Sequence, residues 1–339
     1  FISPSHIFFL IAILSFLILI FTKFKNKNFK INKKKYHIAV AIILYSSYTL
    51  FISKTNTSIL EWMKENIGII LIIIFILSDS NNISYKKTIF FSIFSLLITS
   101  TVDVIYLYNK FSNDLFLGYR NIELMYEIKK SSILYLDTNF TSLSILSLIV
   151  LLIENKGVIK NNKITWLLIL LSIVYLIFLY SRASIISIIA YLILRKLSNN
   201  FLTLALLILS LTCSIFFIFF NKIHLDYSFE SKLEIINNLR LYFSAIDFSD
   251  IILGGGAGYS SYAFNIIGTD TGSHLLFVTI LVNYGIIGFL LYIYMAITLC
   301  INRSIRNYLL LLFILSFSML PIAFPSIFIT IGILSKKDE

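Results

Sequence analysis

The basic residues of this chain fall into two unequal sets, with 22 lysines and only six arginines. Arginine carries a rigid planar fork that grips phosphate oxygens in pairs and stays charged at any working pH. Arg120, Arg182 and Arg240 are therefore the first candidates for an anion site. The competing reading is that Arg182 snorkels to a membrane interface and that Arg120 and Arg240 form loop ion pairs. Of four histidines, His6 and His37 border apolar runs and His224 has no evident partner. His274 closes the segment Thr-Asp-Thr-Gly-Ser-His just before a long apolar stretch. A neutral imidazole there could take a proton from a sugar hydroxyl, because its ordinary pKa lies near working pH. A helix-end histidine bound to a carbonyl is the plainer alternative. Asp137, Asp247, Asp250 and Asp270 could each accept a hydrogen bond from a sugar.

Several chemistries are disfavoured by the same inspection. Leu253–Tyr259 reads Leu-Gly-Gly-Gly-Ala-Gly-Tyr, but no Lys-Ser/Thr comes after it and no strand–helix unit surrounds it, so it is not a nucleotide loop. A turn that lets the backbone approach a ligand or a neighbouring helix fits better. No group of His, Cys, Asp and Glu has metal-ligand spacing, so neither metal nor other cofactor is expected. Cys213 and Cys300 stand singly in apolar runs and read as packing residues.

These residues need elements to place them, and composition names the kind. The 339 residues are 58% hydrophobic and 13% charged, with a mean hydropathy of +0.90. Soluble domains run about 25% charged, so a polytopic all-α membrane protein is expected. A bilayer core needs roughly 20 apolar residues per helix. Runs of that kind fall near 5–22, 38–53, 67–79, 88–106, 138–154, 164–180, 183–194, 201–220, 274–300, 307–320 and 322–335. Eleven spans, within a range of ten to twelve, form a single transmembrane domain over 1–339. The chain opens on Phe1, and its first apolar run lacks the basic flank and cleavage site of a signal peptide. That run is read as a span.

Alternating the spans divides the basic residues 18 to 10, with the larger share in short connections at 23–37, 80–87, 155–163, 195–200, 301–306 and the tail. Lysine and arginine mark the cytoplasmic side. The net charge of +11 is thus an orientation signal rather than a nucleic-acid surface. The unbroken apolar run 164–194 has 31 residues. A single helix of that length would reach about 46 Å against a core of about 30 Å. A hairpin turning at Ser181-Arg182 removes the excess and keeps the basic connections on one side. Two long outer segments result, 107–137 and the larger 221–273; they hold Arg120 and Arg240, while Arg182 lies at the hairpin turn.

Taken in order, these features resemble the O-antigen ligase and polymerase superfamily. The residues that carry the likeness are Ser181-Arg182 at an outer span end, Arg240, the run Leu253–Tyr259, His274, and Asn283-Tyr284-Gly285-Ile286-Ile287-Gly288-Phe289. In the ligases a His-Asn pair precedes a Gly-x-x-Gly helix start by 11 residues, and His274 precedes Gly285 by 11. Asp137-Thr138-Asn139 is similar to the family's Asp-Pro-Asn at the same point. Leu275 stands where the ligases have Asn, which turns the likeness towards the polymerase branch; Thr138 replaces the usual Pro.

The resemblance implies a metal-independent glycosyltransferase in the bacterial cytoplasmic (inner) membrane, with its site facing outward. Donor and acceptor would both be undecaprenyl-diphosphate-linked oligosaccharide, and the product an O-antigen or capsular polysaccharide. A chain-length regulator and a flippase would be further partners. Arg182 and Arg240 would hold the donor diphosphate, and His274 would orient or deprotonate the acceptor hydroxyl. Arg120, Asp137, Asn139 and Asp270 complete the expected substrate contacts. A ligase acting on lipid A-core or protein, and a flippase or permease, are the competing expectations.

Overall fold

The computed structural model describes residues 33–54, 58–77, 83–112, 122–133, 137–155, 157–159, 161–196, 227–269, 275–300, 302–316 and 324–335. The expected spans at 5–22 and 201–220 lie outside them, as do Arg120, Asp270 and His274. The described residues form twelve α-helices and two short 3-10 turns, with no strand among them. In chain order the helices are α1 (Lys33–Phe51), α2 (Ser58–Leu77), α3 (Ile83–Phe111), α4 (Ile122–Lys129), α5 (Thr138–Glu154) and α6 (Asn162–Phe178). They continue as α7 (Arg182–Lys196), α8 (Tyr227–Ala245), α9 (Phe248–Leu253), α10 (Leu276–Leu299), α11 (Arg303–Ser316) and α12 (Pro325–Ser335). Two segments, Lys86–Phe111 and Leu276–Leu299, are long and apolar enough to cross a membrane; the other apolar helices are shorter.

Helix α5 is the centre of the bundle. Asp137, in an extended conformation, caps it by accepting from the Asn139 N–H at 2.8 Å. From Thr141 to Glu154 every residue is buried. It packs on α3, α6, α7 and α12. A helix this apolar on all sides must be interior, yet it carries Thr141, Ser142, Ser144 and Ser147, all fully buried. These hydroxyls bond across helices, as small polar residues do where no water can compete. Ser142 Oγ lies 2.8 Å from both Ser181 Oγ and Ser184 Oγ, and Ser147 Oγ lies 2.7 Å from the Tyr308 hydroxyl.

The far end of α5 is tied by Glu154. Its Oε1 accepts from the Tyr191 hydroxyl at 2.7 Å and from Arg195 Nε at 2.9 Å. Its Oε2 accepts from Ser304 Oγ at 2.9 Å, and Arg303 Nη2 donates to the Arg195 carbonyl at 2.9 Å. Because α7 meets α5 through Ser184 at one end and through Tyr191 and Arg195 at the other, the two helices run parallel. The chain must therefore reverse between α6 and α7. It does so over residues 179–181, where Tyr180 takes a positive φ of 53°, at the turn the sequence places there. The basic residues Arg195 and Arg303 meet at the same end, opposite Asp137.

Two expected boundaries are corrected. Helix α2 begins at Ser58, nine residues before the expected start at 67, because its polar residues are satisfied internally. Asn66 accepts from Ser46 Oγ at 2.8 Å and donates to the Trp62 carbonyl at 3.0 Å. Helix α3 runs through Phe111, so it continues into the segment expected at 107–137. Leu107 and Phe111, one turn apart, are both buried and carry the helix onward. That segment also contains α4. Asp103 holds the stretch between α4 and α5, accepting from Ser132 Oγ at 2.8 Å, from the Ile133 N–H at 2.9 Å and from Thr141 Oγ1.

Replacing Glu154 by Ala leaves the buried Tyr191 hydroxyl without its acceptor, a loss of about 1–3 kcal/mol for that group alone. Thermal unfolding in detergent should show a clearly lower midpoint for Glu154→Ala than for Glu61→Ala, whose carboxylate pairs with the half-exposed Lys64.

Candidate functional site

The long apolar run at 274–300 is a broken helix. Inside α10, Gly285 has φ 61° and ψ −168°, which interrupts the helical path. In an unbroken helix the carbonyls of Val282 and Asn283 would accept from the amides four residues on. Here other groups take those places. The Gly255 N–H donates to the Val282 carbonyl and the Gly256 N–H to the Asn283 carbonyl, each at 2.9 Å. The Tyr45 hydroxyl of α1 lies 3.1 Å from the carbonyls of both Leu253 and Tyr284. The glycine-rich loop is therefore the plug of a helix break. Of the two roles open to it on sequence, approach to a neighbouring helix is the one observed.

Only glycine permits this contact. A Cβ on Gly285 would lie 2.2 Å from the Ile252 carbonyl oxygen, and one on Gly254 would lie 2.5 Å from the Asn283 oxygen. Behind the loop stands the α1–α2 connection. A Cβ on Gly256 would meet Ser53 at 2.8 Å, and one on Gly258 would meet Glu61 at 2.7 Å. The Lys54 N–H donates to the Gly255 carbonyl at 3.0 Å, and Lys54 Nζ pairs with Asp250 at 2.5 Å.

At the centre of this joint sits Glu65 of α2, only 6% exposed. Its Oε1 accepts from Asn283 Nδ2 at 2.8 Å and from the Gly258 N–H at 3.2 Å, and its Oε2 accepts from the Tyr284 hydroxyl. Asn283 Oδ1 in turn accepts from the Ser260 N–H at 2.7 Å. A buried carboxylate needs such donors when no cation reaches it. The neighbouring Lys64 pairs instead with Glu61, at 2.6 Å. On sequence, residue 65 falls in an expected short outer connection, where a Glu beside a Lys offers no signal.

The segment 227–269 rests on the joint. Ile235, Leu239 and Tyr242 of its helix α8 share an apolar cluster with Tyr259, Phe264, Leu275 and Val278. The Tyr242 ring lies 6.4 Å from Tyr259 and edge-on to Phe264 at 6.1 Å. Burial, followed by the neighbouring Tyr259, holds the Tyr242 hydroxyl well above the ordinary tyrosine range. Leu275, where a ligase-like chain would have Asn, is 1% exposed within this apolar cluster, and an amide there would lose its partners.

The candidate residues divide accordingly. Asp137, Asn139 and Arg182 head neighbouring elements, because the start of α5 is bonded to the turn before α7 through Thr138 Oγ1 to the Leu179 carbonyl at 3.1 Å and through Ser142 to Ser181. Arg182 heads α7, and Asp137 spends one oxygen on its cap. Arg240 is exposed on α8, a separate element whose packing partner is the 3-10 turn Ala263–Ile267. Arg120, Asp270 and His274 fall outside the described residues, although Leu275, next to His274, is anchored. Among the described residues no group of three or more His, Cys, Asp or Glu side chains could hold a metal. Comparison with protein-family models, with curated proteins and with solved structures gives no match.

Three glycines make a graded test. Gly157→Ala meets nothing within 4 Å and should leave unfolding unchanged. Gly268→Ala meets nothing but has φ +78°, and should cost about 1–2 kcal/mol through backbone strain alone. Gly285→Ala adds a backbone clash to its φ of +61° and should yield little folded protein by size-exclusion chromatography in detergent.

Proposed function

We propose that this chain is a polysaccharide polymerase of the cytoplasmic membrane, with about eleven spans and an outward-facing site. It would transfer an undecaprenyl-diphosphate-linked glycan onto another lipid-linked repeat unit. The new glycosidic bond forms as the donor's sugar–phosphate bond breaks. Undecaprenyl diphosphate leaves, and the acceptor hydroxyl gives its proton to His274. Arg182 and Arg240 offset the charge that grows on the leaving diphosphate, where fixed donors are most effective. Arg120, Asp137, Asn139 and Asp270 contact the sugars or phosphates.

The observation that supports this best is the arrangement around α10. An exposed arginine, Arg240, stands on a helix that shares one apolar cluster with Leu275, the residue next to the candidate base. Apolar side chains exposed along α3 and α10, among them Phe91, Ile105, Leu290 and Ile297, suit a lipid environment. The grouping of Arg195 and Arg303 at one end of the bundle supports the assigned orientation.

The broken helix and the buried Glu65 favour a second reading, a flippase or permease, since transporters build sites from interrupted helices and buried charges. A transporter would move lipid-linked sugar in proteoliposomes without forming a glycosidic bond. A ligase differs genetically: its loss leaves no attached glycan, whereas polymerase loss leaves single repeat units attached.

In a polymerase-deficient host, Arg182→Ala and Arg240→Ala should each cut the yield of long chains by about 10²–10³-fold, read as a lost ladder on a glycan gel. Normal long chains in both variants would remove the assigned site.

A further inference from the structure

We propose that Glu65 is the positioning residue of the outer site, acting through hydrogen-bond acceptance alone. The inference rests on the polymerase reading for its enzymatic consequence, but its structural content stands by itself.

Three donors converge on this carboxylate from two separate parts of the chain. Gly258 N–H comes from the glycine loop, and Asn283 Nδ2 and the Tyr284 hydroxyl come from the residues just before the helix break. Asn283 is itself shared, because its Oδ1 receives the Ser260 N–H at 2.7 Å. A single side chain of α2 therefore fixes the loop against α10 by one direct bond and one relayed through Asn283.

The mechanical consequence runs along the chain in both directions. Gly258 is bonded to Glu65, and the next residue, Tyr259, packs on Tyr242, two positions from Arg240 on α8. On the other side, Asn283 and Tyr284 end the first half of α10, which begins at Leu276, two residues after His274. The helix that carries Arg240 and the first half of α10, which starts beside Leu275, are thus both linked to the same carboxylate, one through Tyr259 and the other through Asn283 and Tyr284. Glu65 therefore sets how the loop and α8 sit against the first half of α10 and, on the polymerase reading, how the donor and acceptor parts of the site are spaced. Placing reacting groups within a fraction of an ångström is worth a large share of an enzymatic rate, and a displacement of about 1 Å can cost about 10²-fold.

Glutamine tests the claim because it keeps an acceptor oxygen for Gly258 and Asn283. Its amide can donate to the Tyr284 oxygen, whose own hydrogen turns away. Alanine keeps neither. The purified, reconstituted full chain is assayed with undecaprenyl-diphosphate-linked repeat units, and amide hydrogen exchange is followed in parallel over 254–260. Glu65→Ala should lose about 10²-fold in kcat, with donor KM changed less, and should speed exchange of the Gly255, Gly256, Gly258 and Ser260 amides at least about tenfold. Glu65→Gln should restore both to near the parent values. Unchanged exchange in Glu65→Ala overturns the proposal. So does a Glu65→Gln variant that exchanges slowly but has lost activity, because that result would make Glu65 a group whose charge or proton is used.

If Glu65→Ala does not fold, Tyr284→Phe, which removes one donor only, carries the test. It should exchange faster at Gly258, and parent-like exchange there would overturn the proposal. If the parent chain shows no transfer at all, the polymerase reading falls, while the exchange measurements still decide the role of Glu65.

Discussion

A glycine with a left-handed φ inside a long apolar helix leaves carbonyls that its own helix cannot satisfy, and the glycine loop, Tyr45 and Glu65 are arranged around that fact. In a low-dielectric setting an unpaired carbonyl costs several kcal/mol, so a break of this kind survives only where protein covers it. At Gly285 the cover is another stretch of backbone, the loop 254–258, whose N–H groups take the places of the missing helical donors. Backbone can come that close only where side chains are absent on both sides. This accounts for the glycine run and for Gly285 together, as two halves of one joint rather than two motifs.

The joint also explains why the polar residues near it lie where they do. Glu65, Asn283, Tyr284 and Tyr45 sit among apolar helices, each engaged with the loop or with the broken stretch of helix. Away from the joint, Asp103 and Glu154 act in the same way, each gathering donors from separate elements. Buried carboxylates thus serve as assembly points. Glu65, Asp103 and Glu154 are all buried within helices.

Much of the helical layout can be read from residue order alone. The apolar run from 138, and the length of the run 164–194, give the start of α5 and the reversal before α7, because hydropathy and bilayer thickness are one-dimensional constraints. The early start of α2 is hidden, since Glu61, Lys64, Glu65 and Asn66 resemble a loop until their partners on α1 and α10 are known. The break at Gly285 is hinted at only by the resemblance, which puts a Gly-x-x-Gly helix start there, and is hidden in the apolar run itself. A glycine in an apolar run reads as tolerated helix, and only the distant glycine loop makes it a junction. Of the candidate site, Asp137, Asn139 and Arg182 head neighbouring elements and Arg240 stands on another element, a division that no spacing in the sequence reveals. Glu65 carries no sequence signal because its importance comes entirely from three contacts, two of which lie more than 200 positions away.

The proposed polymerase depends on the joint to hold the two sides of an outward-facing site at a fixed separation. Its most direct test is reconstitution of the purified chain in liposomes with lipid-linked repeat units as the only sugar source. The account predicts a ladder of longer lipid-linked glycans, with one undecaprenyl diphosphate released for every bond formed. Movement of intact repeat units across the bilayer, with no ladder and no released diphosphate, would contradict it.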